Sequence, residues 1–278
     1  MTLQEKPLRY GEGGRGFAMV TLPECSTNAP IIILLNAGLL HRAEPYRLNV
    51  LAARRLATIG YICVRVDLSG KGDTPPREGL TNRESVAIDW RLLCEALERQ
   101  WGPHPLLIMG LCSGADNGIK LSAQDTRVRG LILLDPRSPR DRGYLVRHVL
   151  SRALDWRRWI RLPSTLLRSL RPRPAGQEPN LGLRDLPRPD DLEQCLKNMV
   201  DNDGRLLMIF TSDATPHYNR VGQFVRATDI PGLESICREY HWPDVEHIYP
   251  VEAHRERLLT LIDAWGKEQL SHLRAPAR

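Results

Sequence analysis

One cysteine has a glycine two residues before it and another two residues after it, Gly110-Leu111-Cys112-Ser113-Gly114. It lies between an apolar run, PLLIMG at 105–110, and a stretch of helical periodicity at 113–124. A strand that must become a helix within five residues strains the central backbone. It also leaves no room for side chains two positions to either side, so paired glycines there mark a sharp strand–turn–helix. The unpaired N–H groups of the helix's first turn then face the central side chain and favour negative charge on it. A cysteine held in that way, with a base in reach, is a thiolate nucleophile.

The rest of the chain supplies a framework for such a turn. Short apolar runs recur at 16–22, 31–36, 61–67, 105–110, 129–135, 205–211 and 245–250. Several are apolar almost throughout, as in strands covered on both faces of a parallel sheet. Helical patterns fill the gaps at 45–59, 83–101, 113–124 and 255–273. Strands alternating with helices predict a mostly parallel, doubly wound sheet, and 278 residues suit one large α/β domain carrying an insertion. The alternation lapses at 136–204, where arginines and prolines concentrate and two helices, 141–160 and 163–170, are expected. This segment reads as a helical cap over the sheet's carboxyl edge, inserted between core segments 1–135 and 205–278.

Acid and base candidates follow in chain order. Asp213 comes just after the run RLLMIFT and His254 just after VEHIYP, so Cys112, Asp213 and His254 appear as nucleophile, acid and base at strand ends. Asp135, closing LILLD, is the alternative acid. An oxyanion site needs two backbone N–H donors. Ser113 offers one, and Gly38 or Leu39, in Asn36-Ala37-Gly38-Leu39, the other. His41 and Arg42 follow at the expected pocket rim, with Asp135 as a further pocket residue. The Asp67-to-Asp73 segment lacks the spacing of a phosphate loop, and Asp67 is expected to fix that turn beside the site.

Composition closes off other classes. No run approaches the roughly 20 apolar residues of a spanning helix, and residues 1–10 lack the apolar core of a secretory signal, so a cytoplasmic protein is expected. Six cysteines without a CxxC pair predict neither a disulfide framework nor a metal cluster, and no cofactor is expected. The net charge of +6 carries no basic stripe with interleaved aromatics, so no nucleic-acid partner is expected. The segment DWRRWIRLPSTLLRSLRPR (155–173) has the pattern of an interfacial helix, but a lid over an acyl pocket is the preferred reading to membrane-surface association.

With these residues in place the chain resembles the α/β-hydrolase superfamily over almost its whole length. More narrowly, ILLNAGLLHR (33–42), VRVDLSGKGDT (64–74) and GLCSGAD (110–116) resemble hydrolases associated with exosortase systems, which carry asparagine in the oxyanion strand and cysteine at the elbow. The resemblance implies an acyl hydrolase or acyltransferase acting on an ester or thioester through an acyl-cysteine. A carrier-protein-bound thioester suits such chemistry, and the arginine-rich cap could face its phosphopantetheine arm or acidic surface. The alternative is a binding protein that kept the fold and lost hydrolysis.

Overall fold

A computed structural model describes residues 3–24, 30–153 and 184–273. Its centre is an eight-stranded sheet: β1 (Gln4–Tyr10), β2 (Gly16–Leu22), β3 (Ile31–Leu34), β4 (Ile62–Asp67), β5 (Leu106–Leu111), β6 (Val128–Leu134), β7 (Arg205–Thr211) and β8 (Cys237–Trp242). The spatial order is β1-β2-β4-β3-β5-β6-β7-β8. The first pairings, β1 with β2 and β2 with β4, are antiparallel, and all the others are parallel.

Helices connect the parallel strands and follow the last of them: α1 (Leu48–Thr58), α2 (Asn82–Trp101), α3 (Ser113–Gln124), α4 (Tyr144–Ala153), α5 (Pro189–Asp201), α6 (Gln223–Thr228), α7 (Leu233–Ile236) and the final α8 (Glu252–Leu273). Local chemistry sets their limits. Thr81 and Glu84 form a reciprocal capping box at the start of α2, and Gly102, at φ 82°, ends it. Alternate strand residues point to opposite faces, which splits the core into two layers. Ile31, Ile33, Val64, Ile108 and Leu131 meet Trp90, Ile119, Leu196 and Met199 on one side. Ile32, Leu34, Leu107, Met109 and Ile132 meet Leu48, Leu56, Leu258 and Trp265 on the other.

Three expectations change. The run at 245–250 is a loop, and the last strand is β8, whose sequence CREYHW escapes an apolar criterion because it alternates polar residues on a sheet edge. β1 went unread for the same reason: its QEKPLRY is largely solvent-facing. The proposed cap at 136–204 is also too long at its end. Within it, α5 is an ordinary sheet-covering helix whose Cys195, Leu196 and Met199 lie in the core. The later part of the helix expected at 141–160, the helix at 163–170 and the segment 155–173 lie outside the described residues. Among the described residues no helix is long and apolar enough to cross a membrane.

The topology fixes where chemistry can occur. From β3 the chain moves to β4 on one side, while β5 lies on the other. The loops leaving the carboxyl ends of β3 and β5 therefore diverge and open a crevice, the usual ligand position in such sheets. The residue after β5 is Cys112.

Candidate active site

Cys112 has φ 55° and ψ −117°, a conformation outside the ordinary regions for an L-residue. The surrounding glycines make it possible. A Cβ on Gly110 would overlap the Gly114 carbonyl group, and one on Gly114 would stand 2.7 Å from the Asn36 carbonyl oxygen. The elbow helix thus lies against both its own strand and the loop after β3, with no space for a methyl group. Cys112 N–H donates to the Leu134 carbonyl at 2.9 Å, carrying the β5–β6 ladder one residue beyond the strand.

The imidazole beside this sulfur is that of His247, and the carboxylate behind the imidazole is that of Asp135. His247 Nδ1 stands 2.6 Å from Asp135 Oδ2, and the imidazole neighbours the Cys112 sulfur, each favouring charge on the other. Asp135 is buried, at φ 50°, and its carboxylate accepts from Thr211 N–H and Thr211 Oγ1, both at 2.6 Å. Three partners hold the carboxylate in one orientation, and it in turn fixes the imidazole.

The expected base and acid are elsewhere. His254 lies within the first turn of α8, its N–H donating to the Val251 carbonyl at 3.1 Å. Asp213 is exposed in a short 3₁₀ turn (Ser212–Ala214), its carboxylate accepting, among the described residues, only from Ser212 Oγ at 3.3 Å. Both positions followed from treating 245–250 as a strand and β7 as the acid-bearing strand. In the folded chain the loop after β8 doubles back instead. Ser212 N–H donates to the Val245 carbonyl at 3.0 Å, anchoring the loop to the end of β7 and placing His247 above Asp135. The alternative acid, Asp135, is the one that meets an imidazole. No periodicity marks His247; the available signal was a histidine in a Pro/Asp-punctuated stretch, WPDVEH, between the last strand and last helix.

Charge in this trio is displaced toward an ion pair. Burial alone would raise the Cys112 thiol, but the hydrogen bond from His247, the Arg184 guanidinium and the Ser113 N–H outweigh it and hold the thiol below its ordinary value. Burial also works against the His247 cation. The hydrogen bonds to Asp135 and to the sulfur prevail, and the imidazole is held up to about 10. Both shifts favour a thiolate–imidazolium pair over the neutral thiol and imidazole. The other described cysteines behave oppositely: burial pushes Cys63 and Cys237 far up and Cys94 and Cys195 up to about 12.

Arg184 braces both turns. Its Nε and Nη2 donate to the Asp116 carboxylate at 2.5 and 3.3 Å, and Nη2 also reaches the Asp135 carbonyl at 3.1 Å. Asp116 is fully buried in the first turn of α3, so this one guanidinium ties the elbow helix to the acid's turn.

The oxyanion loop differs from expectation in one donor. Gly38 N–H is already engaged, donating to Ser113 Oγ at 2.7 Å. Ser113 N–H, directed at the sulfur, and Leu39 N–H, which has no acceptor among the described residues, remain. Asn36 builds this loop. Its Nδ2 donates to Asp67 Oδ1 and to the Leu40 carbonyl, each at 2.9 Å, and its Oδ1 accepts from Leu68 N–H at 2.9 Å. Asp67 accepts further from Arg42 N–H at 2.8 Å and Asp73 N–H at 3.0 Å, so it fixes this turn as expected. His41 stays at this support, 3.9 Å from Asp67 and 3.7 Å from Asp73. His41, Asp67 and Asp73 converge closely enough to suggest a cation site, but the Arg42 guanidinium bridges both carboxylates and takes that place.

No family model matches this sequence, and no curated protein does. Solved structures do. Est1E from Butyrivibrio proteoclasticus superposes with a TM-score of 0.59 at 13% identity, covering 95% of this chain and 99% of its own. A dienelactone hydrolase from Anabaena variabilis gives 0.57 at 13% identity over 98% and 99%. The thioesterase domain from the curacin biosynthetic pathway gives 0.53 at 16% identity over 94% and 99%. The mostly parallel eight-stranded sheet, the strand order and these full-length superpositions together establish that the chain has the α/β-hydrolase fold.

Proposed function

We propose that this protein is an acyl hydrolase or acyltransferase that works through an acyl-cysteine on Cys112, with His247 as acid–base and Asp135 as its orienting carboxylate. The observation that carries the reading is the single imidazole bonded on one side to a buried carboxylate and set on the other beside the sulfur of a strained elbow cysteine. The segments resembling exosortase-associated hydrolases, 33–42, 64–74 and 110–116, supply the oxyanion loop, its support and the elbow, which favours a cysteine enzyme of that kind.

The thiolate attacks the carbonyl carbon of an ester or thioester, and the carbonyl π electrons move to oxygen, facing the N–H groups of Ser113 and Leu39. When the tetrahedral intermediate collapses, the bond to the leaving alkoxide or thiolate breaks and His247 supplies its proton. The neutral imidazole then takes a proton from water or another acceptor, which attacks the acyl-cysteine and restores the ion pair. That intermediate is itself a thioester, so amine or thiol acceptors compete well with water.

Intact-protein mass spectrometry after exposure to a panel of acyl thioesters and activated esters tests this. An acyl adduct mapped to Cys112 and absent from Cys112→Ala is expected. A panel that leaves no adduct and shows no turnover, with Cys112 alkylated no faster than the other cysteines, refutes it. One observation favours a second reading, a ligand-binding protein without turnover: Gly38 N–H is spent on Ser113 Oγ and withdrawn from any oxyanion. Under that reading Cys112 still labels quickly, but no acyl group is ever released.

A further inference from the structure

Beside the trio, on the side of α5, lies a cavity of about 590 Å³ that the proposed acyl transfer does not use. Arg137, Ser138 and Pro139 form one wall, the entry to α5 (Pro187 to Glu193) a second, and the end of α6 with Ile230 a third. Its size suits a small organic group. It begins two residues after Asp135, at most about 7 Å along the chain, and its first wall is tied to the site. Arg137 N–H faces Asp116 Oδ1 at 3.4 Å, and Ser138 N–H faces His217 Nδ1 at 3.4 Å.

The charge in this region is unbalanced. Asp116 is matched by Arg184, Asp135 by His247, Glu193 by Lys197 at 2.6 Å, and Asp191, whose carboxylate also feels Arg188, by Arg83. The guanidinium groups of Arg137 and Arg188 have no ion pair within the described chain. Among the described residues that of Arg140 contacts the Pro216 carbonyl and the Tyr144 ring. Against these three cations stand Asp229 and, at the entry to α5, Asp190. Buried His217 registers the excess: burial first, and then Arg137 and Arg184, depress its imidazole to about 4, with Asp135 opposing. Its Nδ1 accepts from Ser138, so it stays neutral and adds no competing charge.

Resting on the acyl-transfer reading, we propose that this cavity is a subsite for an anionic group on the substrate, a phosphate ester or a carboxylate remote from the reacting carbonyl, held by Arg137 and Arg188. Guanidinium groups bind both oxyanions in bidentate fashion, and at the border of a cavity they do so against reduced screening. Such a subsite places a charged tail on the acid side of the trio and leaves the reacting carbonyl at Cys112.

Three thioesters distinguish the sources of charge: an acyl-coenzyme A, an ω-carboxyacyl-N-acetylcysteamine and the neutral acyl-N-acetylcysteamine. The readout is the ratio of kcat/KM for each charged compound to that for the neutral one. In Arg137→Gln/Arg188→Gln the ratio is expected to fall about tenfold for the phosphate or the carboxylate arm, whichever the subsite takes. Both arginines are exposed, so the variant should fold. Titrating the same compounds into Cys112→Ala separates the pocket from the chemistry. Tighter binding of a charged compound, weakened by salt and by the double substitution, supports the subsite even when no compound is turned over. Charged and neutral compounds bound equally, or a ratio unchanged by the substitutions, overturn it.

Discussion

The two halves of the candidate site are built by different physics. The elbow at 110–114 is a local object: two glycines without room for a Cβ, a cysteine at φ 55°, and a helix beginning on the next residue. The loop at 243–251 has no such signature. It holds His247 in place through contacts far away in sequence, the Val245 carbonyl with Ser212 and the imidazole with Asp135. A turn governed by steric exclusion can be read from five residues. A histidine positioned by a partner 112 residues away cannot.

The sharpest way to break this contrast is to exchange the histidines. His247→Ala should lower acyl transfer by about 10³–10⁴-fold, whereas His254→Ala should leave it within about twofold, both read as kcat/KM on one activated ester. The reverse result would return the base to α8. Next in size is the acid. Asp135→Asn removes the charge that orients and stabilises the imidazolium and should cost about 10²–10⁴-fold, while Asp213→Asn, exposed in its 3₁₀ turn, should change little.

Arg184→Gln probes the brace between the two halves. It strands the buried Asp116 carboxylate and should destabilise by about 3 kcal/mol in denaturant unfolding. It should also move the midpoint of the Cys112 alkylation profile to higher pH, because a cation favouring the thiolate is gone. Arg184→Lys, which retains the charge, should keep the midpoint closer to that of the parent protein. Gly114→Ala tests the local half alone. Forcing a methyl group against the Asn36 carbonyl should cost on the order of 2 kcal/mol in a thermal melt, with acylation slowed as the elbow shifts.

The mildest perturbation is pH itself. Cys112 alkylation should persist below the ordinary thiol range, because the thiolate is paired with an imidazolium. Catalysis should decline as pH rises through about 10, where His247 loses the proton needed by the leaving group. The stability linked to His247 has the same sign. Its folded value lies above the unfolded one, so its contribution is complete below about 6.5 and is lost as pH climbs through about 10. A Cys112 midpoint matching that of Cys94 would remove the ion pair from the account.

Legibility followed the kind of force involved. Strands β2 and β7 run over the residues expected, and α3 over 113–124, because each is an uninterrupted apolar or periodic segment buried on both sides. β1 and β8 sit at sheet edges, where one face meets water and the apolar run disappears. Helix α5 reads as cap in the sequence because arginine and proline upstream obscure its own core stripe of Cys195, Leu196 and Met199. Among the oxyanion candidates, Ser113 and Leu39 keep available N–H groups, but Gly38 gives its own to a serine 75 residues away.

The amino-acid sequence alone determined the doubly wound sheet, the elbow and the identity of the sulfur at its tip. Each depends on interactions within a few residues: side-chain periodicity, turn sterics and the start of a helix. Tertiary structure alone decided which imidazole and which carboxylate face that sulfur. Sheet-edge loops are free to fold back by different lengths, and only the docking of the 243–251 loop onto β7 selects His247 and Asp135 over their competitors.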